Sequence, residues 1–297
     1  MSHFGDKLIK ASEQKQSVLV VGLDPQIELL PRSLRSSNNK DVANSIIEFN
    51  KIIVDAVAPY VAAIKPQLAY YEIFGSAGIF ALEETIKYAK AKGLLIINDA
   101  KRGDIGPTAE AYARAFLSDT PMSGDAVTVN PFLGSDGIIP FVQQTNQAKG
   151  LFVLLKTSNP SANELQDLRL ASGELVYEQV ASLLTRLSKG TIGASGFSSV
   201  GAVVGATYPD IAKQLRQDLT ETIFLVPGYG AQGGNVQDLN CVFNADGNGA
   251  VISSSRAIIY SYVAERPEDW ESLSKETIKE IIEAKAIQAR DELNTIR

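Results

Sequence analysis

Leu94-Leu95-Ile96-Ile97-Asn98-Asp99-Ala100-Lys101-Arg102-Gly103-Asp104-Ile105-Gly106-Pro107-Thr108 passes from an apolar run straight into a charged one. The apolar part is the length of a buried strand. Side chains two apart on a strand share a face, so Asp99 and Lys101 project together from its C-terminal end. Gly103 permits a sharp turn before Asp104, and residues 109–117 then have helical character. Two readings of the charges stand open. Exposed ion pairs are common and weak, but charges at the end of an apolar parallel strand sit where α/β enzymes place their chemistry.

Outward from this stretch the same unit recurs. Short apolar runs at 17–23, 60–64, 94–99, 126–129, 151–155, 200–205, 223–226 and 250–253 read as strands, and each ends in polar or turn residues. Helical spacing of apolar residues appears at 4–15, 42–57, 78–91, 109–117, 136–144, 174–187, 209–215 and 275–293. Eight strands alternating with helices, with no linker between halves, predict a single α/β domain over 1–297, a (β/α)8 TIM barrel. A doubly wound sheet would also alternate, but it does not call for eight strands that each end in polar residues. Segments 161–173 and 188–199 have no assigned role.

Composition narrows the function. The 297 residues are 45% hydrophobic and 21% charged, with a net charge of −6, a soluble globular profile that argues against a nucleic-acid or other polyanion partner. The one cysteine, Cys241, excludes internal disulfides and thiolate-clustered metals. The one histidine, His3, lies near the terminus, which disfavours serine–histidine and cysteine–histidine mechanisms and a histidine-held zinc. No apolar run approaches membrane-spanning length and no signal peptide is evident, so a cytoplasmic protein is expected.

A barrel gathers its strand ends on one face. That brings Asp24, Lys65, Asp99, Lys101, Ser158, Gln232 and Arg256 to one mouth. Carboxylates and ammonium groups alternating in a cleft keep one another charged. The glycine-rich loop 227–234 follows strand seven, and Ser254-Ser255-Arg256 follows strand eight, the usual place for a phosphate in such barrels. Small residues let backbone N–H groups approach an anion, and arginine adds two-pronged bonds. No G-x-G-x-x-G opens a helix after strand one, so no dinucleotide cofactor is implied.

Asp99-Ala100-Lys101-Arg102-Gly103-Asp104-Ile105-Gly106-Pro107-Thr108 resembles the signature of the orotidine 5′-phosphate decarboxylases, in their longer bacterial-type branch. Lys65-Pro66-Gln67, Pro227-Gly228-Tyr229-Gly230-Ala231-Gln232-Gly233-Gly234 and Ser253-Ser254-Ser255-Arg256 fit the same branch. The resemblance implies a cofactor-free and metal-free decarboxylation. By it, Asp24 and Lys65 hold the ribose hydroxyls, Asp99 lies against the substrate carboxylate, and Lys101 protonates C6. Asp104, Ile105 and Thr108 reach into the partner's site of a homodimer. Ser158 reads the pyrimidine edge, while Gln232 and Arg256 grip the 5′-phosphate under a lid that starts at Ala231. Related barrels acting on sugar phosphates carry a similar D-x-K-x-x-D but use magnesium, with an acidic residue about where Lys65 stands. A non-catalytic phosphate-binding barrel is the alternative from another class.

Overall fold

The computed structural model describes residues 3–35, 41–229 and 236–297. Eight strands, β1 (Leu19–Leu23), β2 (Ala63–Pro66), β3 (Leu95–Arg102), β4 (Ala126–Val129), β5 (Gly150–Lys156), β6 (Val200–Val204), β7 (Phe224–Pro227) and β8 (Ala250–Ser254), close into a barrel in chain order. Every pairing is parallel, and β1 returns to β8 through Leu19↔Ile252. A (β/α)8 barrel is the result, as the strand count predicts.

Helix α1 (Phe4–Lys15) precedes β1, and α2 (Val42–Val57) follows it. The short α3 (Ala69–Glu72) and the long α4 (Gly75–Ala91) connect β2 to β3, α5 (Gly106–Leu117) follows β3, and α6 (Ile139–Gln143) follows β4. After β5 come α7 (Asn163–Gln166) and α8 (Val176–Ser188); α9 (Pro209–Asp218) follows β6. A 3-10 turn, Val236–Val242, lies between β7 and β8, and α10 (Arg256–Ile259), α11 (Ser261–Glu265) and α12 (Lys275–Asn294) close the chain. Among the described residues no helix is long and apolar enough to cross a membrane.

Strand parity sorts the core into two parts. Leu19, Val21 and Leu23 pack outward with the helices, while Val20 faces the barrel axis with Ala63, Ile97, Ala126, Phe152, Val203, Leu225 and Val251. The axis is therefore filled with side chains rather than left as a pore. Its lower end is sealed by α1. Phe4 packs edge-on against Phe152, with ring centroids 5.9 Å apart, and both are buried. Gly150 makes this possible, since a Cβ there would stand 2.0 Å from the Phe4 ring.

Two strands run differently from the spacing expectation. β2 starts at Ala63, because Tyr60 donates its N–H to Val57 and finishes the preceding helix, and it carries Lys65 within the strand. β3 continues through Lys101 to Arg102 instead of stopping at Asp99. It does so with an irregular register against β4 and with Lys101 at φ +47°. Segment 188–199 contains an antiparallel bridge, Ile192↔Ser198.

Candidate active site

Parity also decides which polar groups face the cavity. Asp99 lies two residues beyond the inward Ile97, Lys65 two beyond Ala63, and Thr128 two beyond Ala126. The apolar axis thus gains a charged upper layer from the same alternation that fills it.

Asp99 is the hub of that layer. Its Oδ2 accepts from Lys65 Nζ at 2.8 Å and from Gln67 Nε2 at 3.0 Å. Its Oδ1 accepts from Lys101 Nζ at 2.5 Å and from Thr128 Oγ1 at 3.0 Å. Four donors on one buried carboxylate hold its orientation firmly. Burial alone would raise the pKa of Asp99, but the ammonium groups of Lys65 and Lys101 outweigh it and hold the carboxyl well below the usual range. Burial likewise works against charge on Lys65, yet Asp99 and Asp24 prevail and push its pKa up. Lys65 therefore stays an ammonium.

The two lysines differ in exposure. The Lys65 side chain is 7% exposed and Lys101 45%, so the second ammonium reaches into open space. Lys101 adopts a left-handed backbone that lysine seldom takes. Thr128 braces it, because the Oγ1 that donates to Asp99 also accepts the Lys101 N–H at 2.9 Å. Strain held in place by a neighbour is a common mark of a functional site.

Asp24 faces the same space with a different balance. Burial raises its pKa, only partly offset by Lys65 and by a hydrogen bond from Ser255. Among the described residues its buried Oδ1 has no hydrogen-bond partner. An unsatisfied carboxylate oxygen beside a cavity is costly unless a ligand's hydroxyl completes it. The cavity measures about 800 Å³, with Asp24, Lys65, Asp99, Lys101, Ser158 and Arg256 all on its wall.

Three of the expected site residues are elsewhere. Asp104 turns back on the Ile105 N–H at 2.8 Å, Ile105 is 53% exposed, and Thr108 lies on the surface of α5. None of the three lines this chain's cavity. Gln232 and the lid from Ala231 fall outside the described residues. Thr128 and Gln67 had no assigned role, although the inward parity of a lone hydroxyl in Ala126-Val127-Thr128-Val129 is a readable signal for Thr128. From segment 161–173, Leu165 and Gln166 line the cavity.

An eight-stranded parallel barrel with a lysine–carboxylate array at the C-terminal ends of its strands has the build of a barrel enzyme. Comparison with known proteins makes the class specific. The model of the orotidine 5′-phosphate decarboxylase / HUMPS family matches residues 17–266. A protein of Rhodopirellula baltica named orotidine 5′-phosphate decarboxylase is 43% identical over 99% of both chains. One of the same name from Caldicellulosiruptor bescii is 40% identical over 96% of this chain and 99% of its own. Among solved structures, a putative orotidine 5′-phosphate decarboxylase from Streptomyces avermitilis superposes with a TM-score of 0.80 at 35% identity, over 99% of this chain and 96% of that one. The chain belongs to the orotidine 5′-phosphate decarboxylase / HUMPS family.

Proposed function

We propose that the charged mouth decarboxylates orotidine 5′-phosphate to uridine 5′-phosphate (UMP) and CO2, with the whole chain acting as one barrel domain. The chain is a carboxy-lyase of pyrimidine synthesis, and a cytoplasmic setting follows from that role. The observation carrying the assignment of roles is the Asp99 carboxylate held between two ammonium groups, one of them projecting into the cavity.

The chemistry follows from the charges. The C6–carboxyl bond breaks, CO2 leaves, and the electron pair stays on C6. Lys101 stabilises that charge where it develops. Its Nζ–H bond then breaks to protonate C6, and solvent returns the proton to the amine. Asp99 aims Lys101 while repelling the substrate carboxylate. Asp24, whose Oδ1 has no partner among the described residues, and Lys65 hold the ribose hydroxyls; Ser158 meets the pyrimidine edge and Arg256 the phosphate. Gln232 is assigned to the phosphate by the resemblance alone. Binding energy from the distant phosphate can help assemble this array. The position where magnesium-dependent barrels keep an acidic ligand is held by the Lys65 ammonium, which cannot ligate a cation.

A homodimer completes the proposal. None of Asp104, Ile105 and Thr108 lines its own cavity, and the adjoining loop exposes Phe132 (74%) and Leu133 (47%). The two loops touch, since a Cβ at Gly137 would stand 2.8 Å from Asp104 O and 3.6 Å from Leu133 Cβ. Clustered exposed apolar side chains mark an interaction face, and this one would carry Asp104 into a neighbour's site.

The test is loss of orotidine 5′-phosphate absorbance with purified protein, with and without EDTA. Turnover indifferent to EDTA is expected. Turnover abolished by EDTA would transfer the assignment to the magnesium-dependent chemistry, and UMP binding without turnover would leave a binding protein.

A further inference from the structure

The stretch joining β5 to α8 bends back on itself beside Ser158. Gln166 grips Thr157 twice: its Oε1 accepts the Thr157 N–H at 3.0 Å, and its Nε2 donates to Thr157 Oγ1 at 2.7 Å. That hydroxyl then donates to Asn159 Oδ1 at 2.7 Å. One residue along, Asp167 accepts from Lys156 Nζ at 2.5 Å. Residues 156–159 are thus tied to 166–167 at two successive positions.

Lys156 is an unusual anchor. The β5 register against β6 shifts between Leu154↔Val203 and Lys156↔Val204, which turns Lys156 to the outer, Val204 side of the wall. There it is wholly buried, 4.6 Å from the ring centre of Tyr208 and 5.6 Å from that of Tyr177. A buried ammonium between two rings needs an anion, so the segment bearing Asp167 has a strong reason to stay down. Ser158 is also backed from β6. Gly205 donates its N–H to Lys156 O at 2.7 Å, and a Cβ there would stand 2.8 Å from Ser158 N. The turn has no room to retreat.

We propose that Gln166, together with the Lys156–Asp167 pair, is a positioning device for the base-reading turn. It fixes Ser158 against the pyrimidine and so sets how much of the binding comes from the base rather than from the sugar phosphate. The inference rests on the assignment of Ser158 above. It concerns residues that touch one another and the turn, and none of the reacting atoms.

Competitive inhibition by UMP and by ribose 5-phosphate separates the base from the rest of the nucleotide. In Gln166→Ala the UMP inhibition constant rises about tenfold, as expected for a lost clamp of this kind, while that of ribose 5-phosphate stays within about twofold. Asp167→Asn, which keeps an acceptor for Lys156, gives a smaller shift in the same direction and serves if Gln166→Ala folds poorly. Equal weakening of both inhibitors, or of neither, overturns the proposal. Wild-type protein that binds ribose 5-phosphate but neither binds UMP nor turns over orotidine 5′-phosphate fails the functional reading itself, and the proposal with it.

Discussion

The two ends of the barrel use the same residue types to opposite ends. At the floor, cations terminate on backbone carbonyls: Lys90 Nζ donates to Ser123 O and Lys149 Nζ to Gly124 O, both at 2.6 Å. Asp6 caps the N–H groups of Ala194 and Ser195, and His3 Nε2 sits 2.7 Å from Thr191 O and 2.9 Å from Ser199 Oγ. At the mouth, by contrast, Lys65 and Lys101 share one side-chain carboxylate on the wall of the cavity, with Asp24 beside it. Polar groups spent on backbone hold an end shut. Polar groups spent on one another, around empty space, remain available to a ligand.

The largest break in this comparison comes from removing the exposed ammonium. Lys101→Ala lowers kcat by at least about a thousandfold, the loss of both charge stabilisation and proton donor. Mixing this variant with Asp104→Ala restores activity if sites are shared across a dimer, because one site then receives Lys101 from one protomer and Asp104 from the other. No recovery on mixing counts against the shared site. At the floor the pattern reverses. Phe4→Ala empties a buried aromatic site and costs about 3–5 kcal/mol of stability in chemical denaturation, while KM measured well below the melting point is unchanged.

The smallest effect sharpens the contrast within the mouth. The folded-state pKa of Asp24 is raised, so its ionised form opposes folding once the pH exceeds the ordinary aspartate value. Asp24→Asn therefore melts above wild type at neutral pH, and the gap closes as pH falls toward about 4, where an ordinary aspartate protonates. Asp99 has the opposite sign: its lowered pKa contributes stability at neutral pH that is lost only in strong acid. A melting curve for Asp24→Asn at or below wild type at neutral pH would contradict the account of an unsatisfied carboxylate.

Much of this was legible from residue order. The apolar runs marked all eight strands, and Asp99 and Lys101 do meet, at 2.5 Å, although a left-handed Lys101 and an irregular register replace the regular alternation that predicted it. Local pattern missed what depends on distant chain. The irregular register that carries β3 on to Arg102 is set by β4, and the one that turns Lys156 outward is set by β6. The role of α1 was equally hidden: its amphipathic spacing predicts a helix, but only the bare Gly150 on β5 makes it a plug. Gln166 lies in a stretch without apolar rhythm, and nothing short of the fold brings it to Thr157.

That plug has a consequence for how the chain is made. Phe4 emerges from the ribosome well before its seat, which is built from Gly150 and Phe152 with Phe197 in the same cluster, and β1 gains its second neighbour only when residues 250–254 are made. At about 5–20 residues per second, the first helix waits on the order of ten seconds or more with its apolar face unclaimed. Helix α1 is thus made well before its seat and settles late, and during translation its apolar face needs protection from wrong partners.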